Sequence, residues 1–165
     1  MVQKVFIKLI QNKHTTYTQL YVQIVFAVKG SENVIREKLR EELEKIMCKI
    51  VTDNKSKPIA VYCNTDHTHI LIGLHPTISV SKIAEAIKSG SSGWINREHK
   101  IVGTFSWQDG YGAFTYSKSQ LDDVVKYILN QPEHHKRKTF KEEYLEFLNK
   151  FDIPYHDQYL FDWLD

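Results

Sequence analysis

Cysteine is scarce in this chain and forms no pattern. Cys48 and Cys63 are its two cysteines, with neither the CxxC spacing of metal and redox motifs nor the density of a disulfide scaffold. A reduced, cytoplasmic protein with both thiols in the core is the simple reading. Long apolar runs are missing as well. Nothing approaches the roughly 20 residues a membrane-spanning helix needs, so no membrane partner is expected. Met1–Gln11 is mildly apolar, but Lys4 and Lys8 interrupt it and no small-residue cleavage site follows, which argues against a secretory signal. Excess charge of one sign is absent too: 22 Lys and Arg against 20 Asp and Glu leave +2. That is too little for a global electrostatic attraction to nucleic acid, although local basic patches remain and eight histidines add positive charge at lower pH. Repeats and low-complexity segments are also lacking. What is plentiful is tyrosine, nine residues beside three tryptophans, a supply that suits stacking on bases and filling a core equally well. At 165 residues the chain is long enough for one sizeable core.

Residues 1–16 show no clear period and read as an N-terminal extension, residues 17–152 as the main domain, and residues 153–165 as an aromatic, acidic tail. Leu20, Val22, Ile24, Phe26 and Val28 alternate as in a strand with one buried face. Ser31 or Asn33 is placed to cap an amphipathic helix carrying Val34, Ile35, Leu39, Leu43, Ile46, Met47 and Ile50. Pro58–Cys63 and His67–Leu74 read as two strands, which the short Asn64-Thr65-Asp66 link joins into an antiparallel hairpin. Ser79 caps a second helix that is expected to break at Ser89-Gly90-Ser91-Ser92-Gly93, a run without the lysine of a phosphate-binding loop. Phe105–Trp107 and Ala113–Tyr116 are short strand candidates. Ser117 or Ser119 starts a helix running to Gln131, where Pro132 marks an end or a kink. Thr139 with Glu142 forms a capping box for the last helix. The order strand–helix–strand–strand–helix–strand is that of the ferredoxin-like split βαβ unit, an α+β antiparallel sheet with helices on one face and the other face free for a ligand.

Two features carry chemistry. In a strand, alternate side chains share a face, so His67 and His69 project together as half of a metal site while Thr68 points away. In the helix before Pro132, Leu121, Val124, Val125, Ile128 and Leu129 form an apolar stripe, and Tyr127 stacks with Gln131 four residues on, at the border of that stripe. A phenolate attacks phosphorus to give a covalent phosphotyrosyl intermediate, and its ordinary pKa near 10 means that it needs a metal or a base. A cation between two imidazoles and an amide oxygen would polarise the scissile phosphate.

His67-Thr68-His69 resembles the His-hydrophobic-His signature of HUH nucleases, with threonine in the middle place. Together with Tyr127-Ile128-Leu129-Asn130-Gln131, and with Tyr17–Val22, Trp107–Phe114 and Gln131–His135, the chain resembles single-tyrosine insertion-sequence transposases (TnpA type), including the REP-associated tyrosine transposases. The resemblance spans residues 17 to about 150. It implies a prokaryotic DNA transposase that cleaves and rejoins single-stranded DNA beside a hairpin through a 5′-phosphotyrosine. It also implies Tyr127 as nucleophile and His67, His69 and Gln131 as ligands of Mg2+ or Mn2+. A homodimer follows, with sheets joined edge to edge and Tyr127 of one chain completing the histidine pair of the other. Gln23 stands where many relatives carry a histidine on the first strand.

Lys82, Lys88, Arg97 and Lys100, with Lys136, Arg137 and Lys138 after the nucleophile helix, are candidate phosphate contacts. His134 and His135 diverge as neighbours on a helix and are set aside as ligands. Trp107 and Tyr111 are read as stacking on bases or packing under a hairpin. Two rival functions remain, a hairpin-processing nuclease of the same chemistry that moves no element of its own, and a non-catalytic nucleic-acid binding module.

Overall fold

A computed structural model describes residues 17–31 and 33–163; the proposed extension at 1–16 lies outside them. Four strands, β1 (Tyr21–Ala27), β2 (Lys57–Cys63), β3 (His67–Gly73) and β4 (Gly112–Tyr116), form one antiparallel sheet in the order β2-β3-β1-β4. With the helices α1 (Glu37–Asp53) and α2 (Val80–Arg97) as crossovers, this is the expected split βαβ arrangement. The β2–β3 hairpin closes over Asn64–Asp66, with Asn64 N–H donating to His67 C=O at 2.8 Å. The Phe105–Trp107 strand candidate reduces to a single bridge between Val28 and Trp107.

The alternation in β1 predicts one buried face, but nearly the whole strand is buried: Gln23 and Val25 are as inaccessible as Ile24 and Phe26. The second face of the sheet is therefore not open. On the first face, Thr68 lies 3.3 Å from Cys63 Sγ, which meets Met47 of α1. Trp107 packs edge-on against Phe26, 4.8 Å between centroids, and donates Nε1–H to Ser91 of α2 at 2.9 Å, so it belongs to this layer and does not stack on bases.

α2 also runs unbroken through Ser89–Gly93. Its small residues let it lie against α1: a Cβ on Gly90 would come within 2.8 Å of Ile50 Cδ1. α1 begins later than its apolar pattern suggests, at Glu37, with no side-chain cap from Arg36. Asn33 instead accepts a hydrogen bond from Thr65 Oγ1 at 2.6 Å, tying the hairpin turn to the chain before α1.

Three further helices, α3 (Leu121–Leu129), the single turn α4 (Gln131–His134) and α5 (Phe140–Lys150), cover the second face. α3 lies against β2 and β3 through Leu121, Val124 and Ile128, while Leu129, expected in the stripe, is 56% exposed. Asn130, with φ −98° and ψ 19°, ends α3, and Pro132 sits in the first turn of α4, where its missing N–H costs nothing. α5 opens with the expected capping box of Thr139 and Glu142. Its Phe147 stacks on Phe114 of β4 at 4.9 Å, and its Tyr144 comes so close to Gly112 that a Cβ there would meet the ring at 2.8 Å. The tail returns onto α5, with Phe161 4.9 Å from Tyr144 and Trp163 5.3 Å from Phe140 between ring centroids. No helix among the described residues is long and apolar enough to cross a membrane.

Candidate active site

Strand β3 presents His67 and His69 on the second face, both fully buried, with ring centroids 5.1 Å apart. The alternation that sends Thr68, Ile70 and Ile72 toward α1 and α2 sends the imidazoles toward α3–α5. His67 Nδ1 is 2.6 Å from Asp66 Oδ1 and its ring stacks on Phe140 at 3.9 Å. That carboxylate fixes the ring and turns Nε2 into the pocket, 2.9 Å from Asn64 Nδ2, the orientation of metal-binding histidines. Burial depresses the pKa of His67, but its hydrogen bonds to the Asp66 and Glu143 carboxylates outweigh it and the net direction is upward. Burial holds His69 below its ordinary value.

Gln23 acts at the back of His69. Its amide Nε2 is 3.0 Å from His69 Nδ1, and Tyr116 donates its hydroxyl to Gln23 Oε1 at 2.7 Å. Gln23 is thus completely buried behind the pair and orients His69.

Tyr127 of α3 lies over its own chain's histidines, 6.1 Å from the His69 ring. Its hydroxyl donates to Glu143 Oε1 of α5. Burial first, then the Glu143 charge, pushes the Tyr127 pKa far above that of a free phenol. Gln131 is fully buried in the same pocket: its Nε2 donates to Glu143 Oε1 at 2.8 Å, and its Oε1 accepts from Asn64 Nδ2 at 3.0 Å and lies 2.9 Å from His135 Nε2. His67, His69, Tyr127 and Gln131 therefore meet in one place within one chain.

Two residues at this centre escape sequence reasoning. Glu143 Oε2 stands 3.5 Å from His67 Nε2 and 3.3 Å from both His69 Nε2 and His135 Nε2. Burial acts to raise its pKa, but the nearby His69 and hydrogen bonds from His135, His67 and His69 keep it ionised, well below the usual carboxylate range. The signal for Glu143 was a lone carboxylate on the apolar face of Phe140, Tyr144 and Phe147. For His135 it was the continuation of the Tyr127–Gln131 spacing by four more residues. One ligand atom from each of His67, His69, His135 and Glu143 lies within 4.8 Å of the others, a donor set that fits a divalent cation.

Clefts open on both sides. One, of about 860 Å³, joins Asp66, Asn64 and His135 to Lys136, Arg137 and Lys138. The other, of about 370 Å³, reaches Tyr127 and Glu143 between Tyr116, Gln120 and Phe147. The basic run thus borders the site, although Lys136 pairs with Glu133 and Lys138 with Glu146. The Lys88 ammonium is engaged within the chain, donating to the carbonyls of Gln108 and Gly110 at 2.6 and 2.7 Å. Lys82, Arg97 and Lys100 pair with Glu85, Glu98 and Glu42.

Residues 16–131 match the family model described as Transposase IS200 like, a span that holds His67, His69, Tyr127 and Gln131 but stops short of His135 and Glu143. Among solved structures, the fold is similar to that of a candidate transposase from Deinococcus radiodurans, at 22% identity and a TM-score of 0.59, over 72% of this chain and 95% of that one. It is also similar to a REP-associated tyrosine transposase bound to a REP hairpin, at 14% identity and a TM-score of 0.54, over 74% of this chain and 72% of that one. No curated protein matches the sequence. With the family pattern running through most of the domain, the chain belongs to the IS200-like transposases.

Proposed function

We propose that this chain cleaves and rejoins single-stranded DNA beside a hairpin, with Tyr127 as the nucleophile. The observation that carries the reading is the meeting of the Tyr127 hydroxyl, the His67/His69 pair and Gln131 in one buried pocket between two clefts. A divalent cation at His67 and His69, Mg2+ or Mn2+ by the resemblance, would supply Lewis-acid polarisation of the scissile phosphate.

The chain's own residues do the rest. The Tyr127 oxygen forms a bond to phosphorus as the bond to the 3′-oxygen breaks, its proton passing along the hydrogen bond to Glu143 Oε1 and on to the departing 3′-oxygen, so that Glu143 is ionised before and after. That oxygen leaves as a free 3′-hydroxyl after protonation, and the 5′-phosphate stays on Tyr127. Rejoining reverses these steps with a new 3′-hydroxyl. The raised Tyr127 pKa keeps the phenol protonated until a phosphate arrives, since its ordinary value is already near 10. Phe147 and His134 pack on the ring at 5.8 and 4.7 Å and aim the hydroxyl. Lys136, Arg137 and Lys138 lead the DNA backbone along the larger cleft. The hairpin held by the REP-associated structure supports a hairpin as the substrate of this chain too.

The resemblance implies a homodimer in which Tyr127 of one chain completes the histidine pair of the other, whereas Tyr127 here lies over the histidines of its own chain. The shared arrangement would require α3 to leave its seat on β2 and β3. The test is a labelled single-stranded hairpin with Mg2+ or Mn2+: a covalent adduct forms, and is lost with EDTA and in Tyr127→Phe. An adduct that persists in Tyr127→Phe removes the nucleophile assignment. Mixing Tyr127→Phe with His67→Ala protein restores nothing if each site is built within one chain.

A further inference from the structure

We infer that Glu143 and His135 are ligands of the cation together with His67 and His69, and that Gln131 stands behind them and is not itself a ligand. This rests on the reading that the histidine pair holds a metal. The resulting centre of three imidazoles and one carboxylate selects a transition metal of the Zn2+ or Co2+ type over Mg2+.

The distances make the case. Hydrogen bonds between an imidazole N–H and a buried carboxylate close to about 2.7–2.9 Å. Around Glu143 Oε2 the three imidazole nitrogens stand off at 3.3, 3.3 and 3.5 Å, although the side chains are in contact and buried. These are hydrogen bonds at the long end of the range, and their length is also the separation between neighbouring donors on one tetrahedral ion, about 3.3 Å for bonds of about 2.0–2.1 Å. All four donor atoms lie within 4.8 Å of one another, so a bound ion would draw the imidazoles inward to complete its coordination.

Gln131 is placed differently. Its oxygen faces Asn64 and His135 and its nitrogen donates to Glu143 Oε1. A carboxylate whose Oε1 is engaged by Tyr127 and Gln131 leaves Oε2 for an ion, so Gln131 orients Glu143. Donor chemistry sets the metal class: three imidazoles suit Zn2+, Co2+ or Ni2+, whereas Mg2+ prefers oxygen donors and retained water. The ligands also differ in access. His67 and His69 are sealed, whereas the His135 side chain keeps 22% of its surface and borders the larger cleft. Of the four, His135 would therefore be the ligand most open to exchange for a phosphate oxygen.

The test is a visible-absorption titration of chelator-stripped full-length protein with Co2+, paired with competition for Zn2+ and Mg2+ against a chromophoric chelator. Wild type develops the strong ligand-field band of four-coordinate Co2+ and binds Zn2+ far more tightly than Mg2+. Glu143→Gln weakens Co2+ binding by about 100-fold or more, beyond the upper end of what outer partners contribute, and Gln131→Ala by about 10-fold or less with the band intact. If Glu143→Gln keeps the wild-type affinity and band, or if Mg2+ competes equally, the inference is overturned while the metal reading stands. If wild type binds no metal, the metal reading itself falls. Should Glu143→Gln fail to fold by circular dichroism, X-ray absorption of Zn2+-loaded wild type decides. Three imidazoles and one oxygen support the assignment, and two imidazoles with additional oxygens overturn it.

Discussion

The two faces of the sheet are equally buried and chemically opposite. Toward α1 and α2, Ile24, Leu43, Met47, Ile70, Ile72 and Ile87 are fully enclosed, and polar contact is limited to pairs such as Thr68 with Cys63 and Ser91 with Trp107. Toward α3–α5, Gln23, His67, His69, Gln131 and Glu143 are enclosed as completely, and no buried side-chain polar atom among the described residues lacks a partner. The first face is held by area, at about 25 cal/mol per Å² of apolar surface removed from water. The second adds to its apolar contacts a set of buried hydrogen bonds, each worth only about 1 kcal/mol net but about 1–3 kcal/mol to leave half-made. A layer of the first kind responds to lost volume, and a layer of the second kind responds to lost partners and can be rearranged by a ligand.

That contrast can be broken by experiment. The largest stability effect belongs to the apolar face: Leu43→Ala should cost about 2–5 kcal/mol in urea unfolding while leaving adduct yield per folded molecule unchanged. A loss of yield beyond the unfolded fraction would mean that the faces are coupled. Gly90→Leu forces α1 and α2 apart at the 2.8 Å approach to Ile50 and should cost about 1–3 kcal/mol, read as a fall in Tm with metal affinity intact. On the polar face, Gln23→Leu keeps the volume but leaves His69 Nδ1 and the Tyr116 hydroxyl without their amide. Metal affinity should fall about 10-fold, measured by chelator competition, with unfolding free energy changed by about 1–3 kcal/mol.

Asp66 and His67 give the contrast a pH signature. Burial acts to raise Asp66, but its hydrogen bond to His67 outweighs that and its pKa is lowered; the net direction for His67 is upward. A lowered acid contributes stability above its unfolded pKa near 3.9 and loses it as pH falls through the folded value. A raised histidine contributes below about 6.5 and loses it as pH rises through its folded value. In metal-stripped protein the Tm difference between wild type and Asp66→Asn should be widest between those limits and narrow on either side. A constant difference would show that the pair does not titrate as a unit. The smallest effect is on DNA. Arg137→Ala should reduce the salt slope of single-strand binding by about 0.7, whereas Lys82→Ala, on α2 and paired with Glu85, should leave it unchanged.

The fold was largely legible because its signals are local. The β2–β3 hairpin, the Thr139–Glu142 box and the period-two alternation of β3 each lie within a few residues. The features that escaped depend on contacts between distant segments. α2 survives Ser89–Gly93 because Gly90 faces Ile50, and the second face of β1 is buried because α3–α5 fold back over it. Within the site, His67 and His69 announced themselves by spacing and Tyr127 with Gln131 by one helical turn. Glu143, 16 residues beyond Tyr127, was marked only by its place on the apolar face of α5, which names no partner. Its role exists only once α5 crosses the pocket, and the stretch that carries it lies beyond the matched span.

The alternation along β3 also bears on how reliably the strand finds its place. A slip of one residue would turn every side chain to the opposite face. It would drive His67 and His69 into the layer of Ile24, Met47 and Ile87, where neither Asp66, Gln23 nor Glu143 could reach them, at about 1–3 kcal/mol for each stranded imidazole. It would also bring Ile70 and Ile72 against Tyr127 and Glu143. The residues kept for chemistry thereby act as a check on assembly, since a chain that pairs β3 out of step is penalised on both faces at once.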